Sequence, residues 1–262
     1  MLVCKNEANL TMMRLWHKIC WGSAKQTTLG LMIMISVIRS GMSAALSDLD
    51  VTSNNIANAG TTGYKKREAS FVDVYADTVA MGVGNKVGSG VTTPEMRIMR
   101  SQGELKQTGA VLDLAVEGEG MFTLRNSSNL RDVLYTRDGS FSIDLNGEIA
   151  TSDGHKVMST SGMSITVPMR AAGIVTKNGV ERLGSVALTS VGIQPDGTVE
   201  ATYGGTNIVA VGKIGLATFA DANRLTAIGN NMFRENARSG PGNLGQAVKD
   251  GRGKIHSGAL EM

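Results

Sequence analysis

The segment from Met34 to Tyr64, MISVIRSGMSAALSDLDVTSNNIANAGTTGY, decides how the rest of the chain is interpreted. Apolar or small residues recur in it at steps that alternate between three and four. These residues, called the seam below, are Ile35, Ile38, Met42, Ala45, Leu49, Thr52 and Ile56. Such spacing is typical of the narrow contact line of a coiled coil, whereas a helix on a globular core has a wider apolar stripe. The segment therefore predicts an N-terminal coiled-coil-type α-helix whose seam is an assembly interface.

An alternative is an amphipathic helix that packs on its own domain. Two observations weigh against it: the seam is narrow, and the sequence contains no second helical pattern of similar quality. Burial of the larger apolar side chains would stabilise the helix by on the order of 10 kcal/mol. The loss of conformational entropy on fixing the backbone opposes folding by about 1–2 kcal/mol per residue. We therefore expect the segment to be ordered only against neighbouring chains. Polar and glycine residues between Asn54 and Gly63 predict where the helix ends.

Residues 1–33 differ in composition from everything after them. They contain both cysteines, both tryptophans and a net charge of +3, which equals the net charge of the whole chain. This leader indicates a start codon assigned too far upstream, with Met34 or Met32 as the true start. A secretory signal peptide and an ordinary N-terminal arm are the alternatives. No apolar run reaches the roughly 18 residues that a membrane span requires.

The remaining residues offer little chemistry. Because there is no cysteine after residue 33, disulfides and thiol chemistry are excluded there, and a formally neutral body gives no reason to expect nucleic acid. His17, His155 and His256 lack metal-ligand spacing. The acidic residues that could be imagined as a carboxylate pair lie in or beside predicted turns; they are Asp138, Asp144 and Asp153. We therefore predict no enzyme, and no catalytic, cofactor-binding or metal site.

Residues 91–220 predict an all-β body. Short runs with alternating apolar residues are separated by dipeptides that favour tight turns. Six such hairpin signals lie at residues 137–139, 146–147, 153–154, 178–179, 196–197 and 204–205. Before them, the basic cluster of residues 65–67 is interpreted as a solvated face, and the glycine-rich residues 81–90 as a loop. The predicted fold is mainly β: an N-terminal helix followed by an elongated body of short hairpin-linked strands.

Several motifs, in this order, resemble those of the bacterial flagellar rod and hook axial proteins. The N-terminal motif consists of Asn54, Asn55, Ala57, Asn58, Thr62, Gly63 and Tyr64. Further matching segments lie at residues 103–105, 112–116, 135–141, 216–219, 229–231 and 256–261. Together they cover nearly all of residues 34–262, which makes the resemblance specific.

The resemblance implies a structural subunit of the flagellar basal-body rod, the part that spans the periplasm. Such a subunit self-assembles into a helical axial tube that transmits torque and serves as an export channel. The implied partners are copies of itself, other rod and hook axial proteins and the flagellar export apparatus, which exports the chain without a cleaved signal peptide. Neither nucleic acid, nor a membrane span, nor any cofactor is implied. Proximal and distal rod positions both stay open.

The resemblance also divides the chain. Residues 1–33 are the atypical leader, 34–64 the axial helix with its cap motif, 65–254 the β-rich body, and 255–262 the start of a C-terminal axial segment. In this family a C-terminal helix follows the Gly-Ala-Leu-Glu motif, so the end at Met262 predicts a truncated or wrongly delimited chain. A short hook-type protein is the alternative within the family. Outside it, the alternative is an exported β-rich surface or adhesin-like module with an oligomerisation helix.

Overall fold

A computed structural model describes residues 34–76, 87–93, 96–99, 101–129, 132–177, 180–205 and 207–262. Within these ranges the chain forms one α-helix, one short 3-10 helix and many short antiparallel strands. The predicted fold class, mainly β with an N-terminal helix, is therefore confirmed. The leader, residues 1–33, lies outside the described residues, and the proposed domain boundaries stay predictions. In the described ranges no helix is both long and apolar enough to span a membrane.

The helix α1 comprises residues 34–57 and ends in a series of turns, as its polar C-terminal sequence predicts. One side of α1 is buried or half-buried and carries Val37, Ser40, Ala44, Ser47 and Val51. The Ser40 hydroxyl accepts a hydrogen bond from the Val91 main-chain nitrogen at 3.3 Å. At about 100° per residue these side chains lie on one face of the helix. This face, which is mostly small, packs on the chain's own residues.

The strands are numbered in chain order. They are β1 (Arg67–Ala69), β2 (Val72–Ala76), β3 (Val87–Thr92), β4 (Met96–Ile98), β5 (Leu105–Gln107), β6 (Leu114–Glu117), β7 (Met121–Arg125), β8 (Val133–Thr136), β9 (Phe141–Ile143), β10 (Ile149–Thr151), β11 (Lys156–Val157), β12 (Arg170–Lys177), β13 (Val180–Ile193), β14 (Thr198–Tyr203), β15 (Asn207–Lys213), β16 (Gly215–Thr218), β17 (Thr226–Gly229), β18 (Met232–Arg234), β19 (Asn243–Gln246), β20 (Lys254–Ser257) and β21 (Ala259–Glu261). The 3-10 helix is Ala222–Arg224.

The described residues divide into two units. The first contains the chain up to Asn54 together with Arg67–Arg97, and in it β2 pairs with β3 in antiparallel fashion. Residues 87–90 belong to β3, so the loop predicted for residues 81–90 is wrong there. Strand pairing is made by main-chain hydrogen bonds, so the glycines at positions 88 and 90 weaken this strand but do not prevent it.

The second unit contains Asn55–Lys66 and Ile98–Met262. Its largest sheet runs in the order β17-β18-β8-β7-β11-β10-β9, and β16 joins it beside β7 and β19. A four-stranded sheet, β12-β13-β14-β15, contributes Val199, Ala201 and Tyr203 to the same core as Phe122 and Leu124. The core is made of these inward-facing strand residues, as an alternating pattern predicts.

Four of the six predicted hairpins join neighbouring antiparallel strands. The turns at residues 146–147, 153–154, 196–197 and 204–205 connect β9 to β10, β10 to β11, β13 to β14, and β14 to β15. Residues 178–179 lie outside the described residues, although β12 and β13 on either side of them pair.

The hairpin predicted at residues 137–139 is wrong. The strand before it, β8, pairs with β7 and β18 rather than with β9. Gly139 instead lies against the backbone of β6 in the same chain, where a Cβ would overlap the carbonyl oxygen of Leu114. The Gly139 carbonyl accepts a hydrogen bond from the Leu114 main-chain nitrogen at 3.0 Å. The turn-like composition of residues 137–139 is therefore explained by the close approach of two backbone segments and not by a hairpin.

The last residues of the chain are paired with the body. The β20 strand pairs with β6, and β21 pairs with β5. Residues 255–262, assigned above to the start of a C-terminal axial segment, therefore include two strands of the second unit. Both of their partners come early in that unit, which brings the end of the chain back to residues 105–117.

Candidate assembly surface and its anchor

The seam is exposed along the whole of α1. All seven of its residues are solvent-exposed, from Ile35 at one end to Ile56, which is 72% exposed, at the other. Leu49, near the middle of the C-terminal half, is 61% exposed. At about 100° per residue the seam lies on the side of α1 opposite the face that contains Ala44 and Val51. Among the residues that the structure describes, one face of the helix is buried and the seam is exposed.

Leu46 is an exposed apolar residue of α1 that does not belong to the seam. Leu46 is 59% exposed and lies four residues after Met42 and three before Leu49. Strict alternation of three-residue and four-residue steps puts Ala45, rather than Leu46, in the seam. Since steps of four and then three are equally compatible with a helical stripe, the spacing alone could have included Leu46.

The N-terminal motif connects the end of the helix to the body. The Tyr64 hydroxyl donates a hydrogen bond to the side-chain oxygen of Asn55 at 3.0 Å, and the Asn58 side chain accepts one from the Thr61 hydroxyl at 3.4 Å. The Thr62 carbonyl accepts a hydrogen bond from the Asn231 side chain at 2.7 Å. These contacts hold residues 58–65, called the motif loop below, in place within the second unit. The other two motif residues, Asn54 and Ala57, are exposed.

Gly63 is required by the backbone geometry of the motif loop. Its φ is +67°, a region that only glycine adopts without cost. A Cβ at this position would overlap the Asp138 main-chain nitrogen and lie 2.8 Å from the carbonyl carbon of Arg137. The Gly63 nitrogen donates a hydrogen bond to the main-chain oxygen of Glu261 at 2.9 Å. The motif loop therefore touches the last strand directly.

A buried ion cluster, called the anchor cluster below, surrounds the Glu261 carboxylate. Glu261 is 2% exposed; one carboxylate oxygen contacts the Lys65 ammonium and accepts a hydrogen bond from the Gly103 nitrogen at 2.9 Å. The other oxygen lies 3.2 Å from Nη1 of Arg137. Burial alone would raise the pKa of Glu261, but the hydrogen bonds from Lys65 and Gly103 and the charge of Arg137 lower it. The carboxylate is therefore held in its charged form.

Arg137 extends the anchor cluster to a third segment. Its guanidinium donates to the carbonyl oxygens of Val116 at 3.2 Å and Gly118 at 2.7 Å. Nearby, a Cβ on Gly103 would overlap the Met262 carbonyl oxygen and lie 3.1 Å from Cγ of Glu261. The cluster thus joins the motif loop, the segment before β5, the residues around the end of β6 and the last strand.

The residues of the anchor cluster were not predicted as a site. Lys65 is in the basic cluster that was interpreted as a solvated face, but its side chain is only 9% exposed, so that interpretation is wrong for Lys65. Arg137 was interpreted as part of a hairpin. Glu261 and Arg137 both belong to segments that carry the family resemblance, and that was the available signal. The cluster depends on tertiary contacts that no local pattern encodes.

Two of the three acidic residues considered as candidates for catalysis make turn hydrogen bonds, whereas the carboxylate of Asp153, itself in a turn, accepts one from the Asn230 side chain at 3.1 Å. Asp138 accepts hydrogen bonds from the nitrogen and hydroxyl of Ser140, and Asp144 accepts them from the nitrogens of Asn146 and Glu148. The backbone hydrogen bond from Glu148, above all, lowers the pKa of Asp144. Within the part of the chain that the structure describes, no three His, Cys, Asp or Glu side chains are grouped as metal ligands.

Comparison with known proteins gives matches to two families. Residues 35–65 match the family described as “Flagella basal body rod protein”, and residues 115–201 match “Flagellar hook protein FlgE/F/G D1 domain”. These two segments contain α1 with its motif and a large part of the β-rich body.

Whole-chain relatives point in the same direction. The chain is 32% identical over 234 residues to the flagellar basal-body rod protein FlgG of Bacillus subtilis, covering 85% of this chain and 81% of that protein. It is 31% identical over 235 residues to FlgG of Borreliella burgdorferi, with the same two coverages. The flagellar hook protein FlgE of Helicobacter mustelae is 40% identical, but over 129 residues, which is 45% of this chain and 28% of that protein.

Among solved structures, the flagellar hook protein FlgE2 of Helicobacter pylori aligns with 75% of this chain and 43% of its own chain. The sequence identity is 14% and the TM-score is 0.26, so this likeness carries no argument about the arrangement of the units.

Proposed function

Because the chain belongs to the flagellar basal-body rod protein family as an FlgG-like structural subunit, we propose that it self-assembles into the helical axial tube of the rod through the seam of α1. The observation that carries this proposal is the exposure of all seven seam residues on a helix whose opposite face is covered by the chain itself. Membership of this structural family means that the chain is not an enzyme.

Energetics favour burial of the seam in an assembly. Ile35, Ile38, Met42 and Ile56 are each more than half exposed, and covering an aliphatic side chain of this size contributes roughly 1.5–3 kcal/mol. Such a contribution is absent in the isolated chain. A neighbouring helix that fits between successive seam residues would supply it, and the spacing of three and four residues suits helix-to-helix packing.

The family implies assembly with flagellar axial proteins at the basal-body rod. We propose that copies of this chain and of other rod and hook proteins are the immediate neighbours. We further propose that the flagellar export apparatus delivers the chain to the rod without cleavage of a signal peptide. The tube so formed transmits torque and carries exported subunits.

The direct test is an immunoblot of purified hook–basal bodies with an antibody raised against residues 91–220, which lie outside α1. The expected result is a band in hook–basal bodies from the parent strain and none in the same fraction from a strain that lacks flagellar export. Detection on the cell surface, with no band in the hook–basal bodies of the parent strain, would contradict the proposal and favour the adhesin-like module. A band confined to the hook after the rod is separated would favour the short hook-type alternative.

A further inference from the structure

The penultimate residue of the chain holds the motif loop and the last strand together. Glu261 is in β21, yet its main-chain oxygen accepts the Gly63 hydrogen bond and its carboxylate contacts Lys65. The next residue, Met262, donates its main-chain nitrogen to the Glu104 carbonyl at 2.9 Å. One short strand therefore provides hydrogen-bond partners for the motif loop and for the segment before β5.

The charges make this contact hard to replace. Two buried cations, Lys65 and Arg137, converge on the single carboxylate of Glu261. Charged groups that are taken out of water are tolerated when they are paired, and the removal of one partner leaves the others uncompensated. Lys65 has one other described acceptor, the Ser101 carbonyl at 3.0 Å, which is uncharged. Without Glu261 the favourable response is for Lys65 to move out to solvent, and the motif loop would move with it.

We propose that Glu261 is a positioning residue that couples the docking of β21 to the conformation of the motif loop. The motif loop keeps its contacts with the rest of the second unit only when β21 is in place, and β21 stays in place only when Lys65 is bound. The coupling itself concerns contacts within one chain. Its consequence, that rod assembly requires a docked β21, rests on the proposed function.

The test is native-state hydrogen exchange on the full chain, comparing Glu261→Gln with the parent. Glutamine keeps the size and an acceptor oxygen but removes the charge. We expect the amides of Gly63, Gly103 and Met262 to exchange about tenfold faster or more, while core amides such as that of Leu124 keep their protection. A uniform increase that includes Leu124 would mean that Glu261 only contributes to global stability, and unchanged exchange at Gly63 would mean that no coupling exists. Either result overturns the proposal.

The matched control is Glu117→Gln. Glu117 is also a strand carboxylate between two basic side chains, 2.8 Å from Lys254 Nζ and 2.6 Å from His256 Nε2, but it is exposed. Since exposed ion pairs contribute little, its exchange pattern should equal that of the parent. An equal response of both variants would overturn the specific role of Glu261.

A second variant tests the coupling between β21 and the motif loop without changing a charge. Gly103→Ala places a methyl group against the Met262 carbonyl and the Glu261 side chain, so it displaces β21. The proposal predicts faster exchange at Gly63, through Glu261. Protection at Gly63 that persists after β21 has loosened would overturn it, even if Glu261→Gln fails to fold.

Incorporation into the rod is measured separately, in cells. Local loosening in Glu261→Gln with normal incorporation would overturn only the consequence for assembly. Absence of the parent chain from the rod would refute the proposed function and leave the exchange result intact.

Discussion

The main-chain nitrogen of Gly63 donates a hydrogen bond to the main-chain oxygen of Glu261 at 2.9 Å, joining the segment that follows the helix to the last strand of the chain. On one side of this bond lies a backbone conformation that requires glycine, and on the other a buried carboxylate bound to two cations. A substitution at Gly63 and a change of pH, which acts on Glu261, therefore affect this contact through different groups.

Gly63→Ala should lower the free energy of unfolding by about 2 kcal/mol or more. The left-handed φ costs a residue with a Cβ roughly 1–2 kcal/mol, and the overlap with Asp138 adds to it. Chemical denaturation of the purified chain measures the effect. Gly60→Ala is the matched control, because no atom lies within 4 Å of a Cβ built there. Equal stability of the two variants would contradict the role assigned to Gly63.

Acid should weaken the anchor cluster through Glu261. Its folded pKa lies below the ordinary value of 4.5, so the folded state binds fewer protons than the unfolded state in this range. The stabilisation is fully present above pH 4.5 and is lost as the pH falls through the folded pKa. Denaturation of the parent and of Glu261→Gln across this range should show a stability difference that shrinks with acid. A difference that grows with acid would reverse the assignment.

Leu49→Asp should prevent incorporation into the rod without unfolding the β-rich body. The substitution places a charge in the centre of the seam, where an assembled neighbour would have to desolvate it. Ser43→Asp introduces the same charge at an exposed position on the flank of the helix and should be tolerated. Swimming motility and immunoblots of hook–basal bodies measure both. Normal motility of Leu49→Asp would refute the interface assignment.

A peptide of residues 34–64 should be mostly unfolded when dilute and gain helix as its concentration rises. Short isolated helices are marginal in water, and the seam becomes buried only on association. Circular dichroism over a wide concentration range tests this expectation. Stable helix content that is independent of concentration would show that the segment needs no neighbour.

Phe122→Ala should lower the free energy of unfolding by about 3–5 kcal/mol, as is typical when a large buried aromatic side chain is truncated. Phe122 is fully buried and its ring packs edge-on against Phe141 at a centroid distance of 5.2 Å. Leu145→Ala, at a fully exposed turn position, should change the denaturation midpoint very little. An equal loss of stability in the two variants would contradict the burial of Phe122 in the core.

Local patterns predicted the helix and most hairpins because their determinants are adjacent in sequence. Asn146 and Gly147 form a turn between β9 and β10 because Gly147 adopts a positive φ of +80° and the flanking residues alternate. The seam spacing likewise predicted α1. Which face of α1 the chain covers by itself was not readable, because small residues such as Ser40 and Ala44 give no apolar signal.

The anchor cluster could not be predicted for a different reason. Arg137, Asp138 and Gly139 have the composition of a turn, yet Arg137 is buried by contacts with Val116, Gly118 and Glu261. Likewise, nothing next to Lys65 in the sequence distinguishes it from Lys66, which is exposed. The identity of a buried ion pair depends on residues that come together only in the folded chain.

The pairing of β5 with β21 and of β6 with β20 also has a kinetic consequence. These two strand pairs join residues 105–117 to residues 254–261, so the second unit cannot be completed until segments far apart in the sequence have met. Contacts between such distant residues carry a high loop-closure entropy and slow folding. Formation of these two strand pairs is therefore expected to be a late step in the folding of the second unit.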